Sequence, residues 1–98
     1  MATYITTMRY TQQGIAAVDQ TVKRANAIKA LAKKLGLKVV AIYWTLGAFD
    51  GVLITEAPDD QTITAAMLAI GRQGNVQTTT ARAFTAQEME QVLARMGG

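Results

Sequence analysis

Leu37-Lys38-Val39-Val40-Ala41-Ile42-Tyr43-Trp44-Thr45-Leu46, then Gly47-Ala48-Phe49-Asp50-Gly51, then Val52-Leu53-Ile54-Thr55-Glu56, is the stretch that decides the fold. Two runs rich in β-branched and aromatic residues flank a short Gly- and Asp-containing turn. That is the pattern of a β-hairpin. The first run is apolar at both parities. Strict alternation puts Val39, Ala41 and Tyr43 on one face and Val40, Ile42, Trp44 and Leu46 on the other. A strand apolar on both faces does not meet water alone.

Working outward, residues 3–10 are β-branched and aromatic and form a strand. Thr11 then caps a helix. Ile15, Val18, Val22, Ala25, Ile28, Leu31 and Leu35 recur every three or four residues, which predicts one long amphipathic helix ended by Gly36. The stripe drifts around the helix, so Lys29 borders the apolar arc, its stem along the core and its ammonium reaching out. After the hairpin, Ala57-Pro58-Asp59-Asp60 starts a second helix with an Asp cap, and Ile63, Ala66, Met67 and Ile70 share one face. Val76 to Phe84 is a further strand. Thr85-Ala86-Gln87-Glu88 is a capping box, opening a last helix with Met89, Val92, Leu93 and Met96 on one side. Met67, Met89 and Met96 read as core packing, and Gly97-Gly98 as a loose end. The order β-α-β-β-α-β plus a final helix is an α+β, ferredoxin-like arrangement: a four-stranded antiparallel sheet with helices on one face. Residues 1–98 form a single domain, with no repeat or linker.

Composition narrows the chemistry. Half of the 98 residues are hydrophobic and 17% are charged, the profile of a folded chain. A domain of this size buries only roughly 60–65% of its unfolded surface and needs an added device such as a disulfide, a metal or a partner subunit. There is no Cys and no His. Disulfides, the common zinc sites, thiolate nucleophiles and Ser-His-Asp triads are therefore removed. Neither cofactor nor metal is expected, and a partner subunit is the remaining device. No apolar run reaches the roughly 20 residues of a membrane span, and Met1-Ala2-Thr3-Tyr4 lacks the features of a signal peptide, so a cytoplasmic location is expected. Lys23, Arg24, Lys29, Lys33, Lys34 and Lys38 form a basic segment without an acid, either an anion-attracting run or a solvated helix face. RNA-recognition domains share this topology but stack bases on aromatics of their third strand. Gly51 to Glu56 has none, so nucleic acid is not an expected partner.

Tyr43-Trp44-Thr45-Leu46-Gly47 running into Phe49-Asp50, Glu56-Ala57-Pro58-Asp59-Asp60, Gly74-Asn75-Val76 with Thr78-Thr79-Thr80, and Arg82-Ala83-Phe84-Thr85 together resemble the GYD domain family of small bacterial and archaeal proteins. The resemblance spans nearly the whole chain. It implies a ferredoxin-like, dimeric α/β-barrel type of fold and assigns no activity. The family's Gly-x-Tyr-Asp turn reads Gly47-Ala48-Phe49-Asp50 here, so a proton donated by a Tyr at that position is not available.

Five residues are candidates for a site. Asp50 is a base if shielded from water, or else a turn anchor. Tyr43 and Trp44 line a pocket for a flat apolar ligand or simply pack; as strand neighbours, only one of them can face a given pocket. Arg82, in an apolar and Thr-rich strand, binds a carboxylate or phosphate, or makes a surface ion pair. Lys29 completes the set. Thr78 to Thr80 have no base beside them and read as strand formers. The expected function is an oligomeric, cofactor-free small-ligand-binding or regulatory module. The alternative is a cofactor-independent enzyme, of monooxygenase or isomerase type, acting on a small aromatic substrate. The expected partner is the chain itself, as a homodimer or higher closed oligomer joined through the open face of the sheet.

Overall fold

The computed structural model describes residues 1–97; the expectation for Gly98 lies outside them. Four strands make one antiparallel sheet in the order β2-β3-β1-β4, with β1 Ala2–Tyr10, β2 Lys38–Trp44, β3 Gly51–Ala57 and β4 Val76–Ala83. Helices α2 (Thr21–Leu35) and α3 (Asp60–Gly71) lie against one face and against each other. This is the ferredoxin-like arrangement read from the sequence. The core sits between these layers. At one end Tyr4, Ala32, Leu37, Ala57, Ile63 and Ala66 pack together; at the other Met8, Ala25 and Ile70 are buried. Burying these apolar groups is the main driving force for the fold.

The predicted long first helix is broken. Thr11 does cap it, its hydroxyl accepting from Gly14 N at 3.0 Å, but this first piece, α1, spans only Gln12–Ala16. A 3-10 turn, Val18–Gln20, follows before α2 begins at Thr21. The cause is tertiary. The α1 segment is tied to the loop before β4: Thr11 N donates to Asn75 O, the Thr11 hydroxyl to Gly74 O, and Gln13 Nε2 to Gln73 O and Asn75 Oδ1. A straight helix cannot keep those contacts and also lie on the sheet. The early part of the expected stripe is accordingly left out of the core, with Ile15, Val18 and Val22 exposed. Gly36 ends α2 as the sequence predicts, at a φ of 85° that suits glycine.

Alternation along β2 also fails, at a β-bulge. Val39 pairs with Thr55 but Ala41 pairs with Ile54, so Val40 has no partner. An inserted residue shifts the parity of everything after it. Val39, Ile42 and Trp44 therefore share the helix face, paired with Thr55, Leu53 and Gly51. Lys38, Ala41 and Tyr43 take the open face beside Glu56, Ile54 and Val52. Leu46 lies beyond the strand and is fully exposed. The open face carries Ile5, Ile54, Ala41 and Ala81 side by side, with threonines around them.

The last helix, α4 (Ala86–Arg95), opens with the predicted capping box: Thr85 Oγ1 accepts from Glu88 N at 3.1 Å, and Glu88 Oε1 accepts from Thr85 N at 2.9 Å. Its apolar row is exposed, Met96 at 76%, so Met89 and Met96 do not pack into this chain's core as the sequence reading had them.

Candidate functional site

A cleft opens at the end of the sheet where β1 finishes and β3 and β4 begin. Its floor is Met8 and Tyr10 of β1, Ile42 and Trp44 of β2, Gly51 and Val76. The roof is Thr21, Arg24, Ala25 and Ile28 of α2 with Ile70 of α3. The space inside is about 50 Å³. At roughly 10–15 Å³ per water on this measure, it admits a few water-sized groups, and a larger ligand keeps part of itself at the mouth.

Its polar groups are held by local hydrogen bonds. The Thr21 hydroxyl accepts from Trp44 Nε1 at 2.9 Å and lies 3.1 Å from the Tyr10 hydroxyl, joining two rings to the start of α2. Asp50 stands at the end of the hairpin turn. Its Oδ2 accepts from Tyr10 N at 2.8 Å, while its backbone N donates to Met8 O and its carbonyl accepts from Thr45 N. Arg24 Nη2 donates to Gly14 O at 3.1 Å. The cleft can thus enclose a short apolar group and meet polar atoms at its rim, where Arg24, Asp50, Gln73 and Asn75 gather.

Three of the five sequence candidates come together here: Trp44, Asp50 and, at the rim, Tyr43. The bulge turns the Trp44 side chain to the helix side of the sheet, where it stays 46% exposed, while Tyr43, paired with Val52, points to the open face and is 60% exposed. Asp50 anchors the turn, the second of the two readings offered for it, and also borders the cleft. Arg82 is elsewhere, in a shallow groove between α3 and β4 with Tyr4, Asp60 and Met67. It makes the surface ion pair, with Glu88 Oε2 at 3.1 Å, and stacks over Phe84 at 4.5 Å from the ring centre. In that groove the Tyr4 hydroxyl donates to Asp60, and this bond, with burial, holds the phenol above its ordinary pKa. Lys29 lines neither site and is exposed, because α2 turns its Ala25, Ile28 and Ala32 side to the sheet. Among the described residues no group of three or more His, Cys, Asp or Glu side chains could hold a metal ion.

Sequence reasoning passed over Thr21, Tyr10 and the special place of Arg24. A signal existed for Arg24. It lies four residues before Ile28 and beside Ala25, at the margin of the buried stripe, while its basic neighbours fall on the outer side. Thr21 carries no such signal, since its role depends on a strand more than 20 residues away.

The GYD domain model matches residues 4–93. A Thermus thermophilus protein, the glutamine synthetase and cystathionine beta-lyase binding protein, is 31% identical over 90 residues, which cover 91% of this chain and 95% of that one. Among solved structures, MtbAldR superposes with a TM-score of 0.67 at 12% identity, over 86% of this chain and 53% of that one. TTHA0845 from Thermus thermophilus gives 0.53 at 20% identity, over 88% and 96%. At these identities the structural matches speak for the fold. No helix among the described residues is long and apolar enough to cross a membrane.

Proposed function

We propose that this chain, which belongs to the GYD domain family, is a cofactor-free regulatory module that binds a small organic ligand in the cleft under α2 and works as a homo-oligomer. The observation that carries the reading is the cleft itself. Apolar walls, an indole and a rim of partly buried polar groups converge on one small space, the general form of a ligand site. Placing Trp44 there ties the cleft to β2, the edge strand, whose Lys38, Ala41 and Tyr43 belong to the open face. An occupied cleft that moved Trp44 would therefore be felt at the open face. The Thermus thermophilus relative is named as a binding protein for two enzymes. That name supports a regulatory role over a catalytic one, with the open face as the surface offered to a second copy.

The test is a protein-observed NMR screen with a library of small fragments at millimolar concentration. The expected result is a cluster of shifted resonances from residues 8–10, 21–28, 42–44 and 50–51, including the indole N–H of the single tryptophan. Shifts confined to other surfaces, or none at all, would refute the reading.

A further inference from the structure

Arg24 and Asp50 bring opposite charges to one cleft without neutralising each other. Among the described residues the ion pairs are Lys38–Glu56 and Arg82–Glu88, so neither cleft charge has a partner of opposite sign. Each is oriented by one backbone contact: Arg24 Nη2 by Gly14 O, and Asp50 Oδ2 by Tyr10 N. That leaves most of the guanidinium donors and the second carboxylate oxygen free to meet a ligand. Both side chains are half-buried, where an uncompensated charge is more costly than on an open surface. Met8, Ile28, Ile42 and Ile70 line the same cleft.

We infer that the cleft takes a small zwitterionic amino acid, its carboxylate on Arg24, its ammonium on Asp50, and a short alkyl group among those four apolar residues. The inference rests on the reading of the cleft as a ligand site and adds the ligand's chemistry. A simple anion would place its charge near the Asp50 carboxylate. A simple cation would do the same with Arg24, and a neutral molecule would compensate neither. A ligand with both charges compensates both, and specificity follows because each analogue leaves one half-buried charge unpaired. The volume of about 50 Å³ limits the enclosed part to a short alkyl group.

The experiment titrates isotope-labelled protein at low salt with L-valine, isovalerate, isobutylamine and neutral isobutyramide, following cleft amides and the Trp44 indole. Valine is expected to bind roughly tenfold or more tighter than any of the other three, since each lacks at least one charge-assisted contact. Arg24→Gln should weaken valine by a similar factor. Asp50→Asn keeps an oxygen for Tyr10 N, so the fold should persist, and it should bring valine level with isovalerate. Isovalerate, isobutylamine or isobutyramide binding as tightly as valine would overturn the zwitterion and leave the cleft as a ligand site. So would an Asp50→Asn protein that binds valine as the parent does. If none of the four moves a cleft resonance while fragments of the wider screen do, the zwitterion is overturned and the ligand site stands.

Discussion

Thr21 is where one hydroxyl serves two aromatic rings, and it shows how much of the site depends on single atoms. Replacing it with Val keeps the shape but leaves the Trp44 indole N–H and the Tyr10 hydroxyl without their shared partner. A net hydrogen bond contributes about 1 kcal/mol, and a stranded partly buried donor costs somewhat more. Thr21→Val is therefore expected to lower stability by about 1–2 kcal/mol in urea unfolding and to shift the Trp44 emission; an unchanged spectrum would mean the indole does not depend on Thr21. Gly14 is more constrained still. A Cβ built on it would lie 1.9 Å from Asn75 O, a backbone atom that cannot swing away. Gly14→Ala should cost on the order of 2–3 kcal/mol, the range for overpacking a close contact. Its hydrogen-exchange protection should fall first in α1 and at residues 73–76. In the sequence Gly14 is simply a glycine early in a helix, because the atom it avoids lies about 60 residues further on.

At the scale of elements, ends were more legible than middles. The caps at Thr11 and Thr85 and the stop at Gly36 stand where the sequence places them, and of the two aspartates offered for α3 it is Asp59 that caps. Each is a contact between a residue and backbone three or four positions away, so local chemistry decides it. The middle of the first helix and the middle of β2 were not legible. Both interruptions answer to partners distant in sequence: the loop before β4 in one case, the register with β3 in the other. For α4 the cap is testable alone. Thr85→Ala should lose about 1 kcal/mol of local helix stability, read by exchange of the amides of residues 87–89. Glu88 adds a pH dependence. The Thr85 backbone N–H, then the Arg82 guanidinium, hold its carboxyl below the ordinary glutamate value. A group whose pKa is lowered by folding stabilises the folded form while ionised. That contribution is complete above the ordinary glutamate value and disappears as pH falls through the lowered one. The start of α4 should therefore fray in acid, and Glu88→Gln should flatten this dependence in amide exchange measured between neutral pH and the acid range.

For the whole molecule the open face dominates. Ile5, Ile54, Ala41 and Ala81 form an apolar centre that no element of the same chain covers, and α4 leaves its own apolar row in solvent. Burial of such surface contributes roughly 25 cal/mol per Å², so a few hundred Å² matches the net stability of a small domain. The proposed oligomer should appear in light scattering at low micromolar concentration as a mass of two or more chains. Ile54→Asp should give folded monomer and Ile42→Asp an unfolded chain, because Ile54 lies on the open face and the bulge in β2 sends Ile42 to the helix face. A single 10.5 kDa species for the parent protein, unchanged on dilution, would exclude assembly through this face. By itself the sequence determined the order of the four strands and of the helical segments between and after them, most of the caps, the two-layer architecture and the absence of His and Cys chemistry. These follow from side-chain type, periodicity and contacts within a helical turn. Only the tertiary structure decided that Trp44 faces the helices while Tyr43 faces outward, that Arg24 borders the same cleft as Asp50, and that Lys29 and Arg82 stand apart. The faces of Trp44 and Tyr43 depend on one unpaired residue, Val40, and the course of the chain into α2 on one broken helix. Both are set by pairing with segments far along the chain, which no local pattern records.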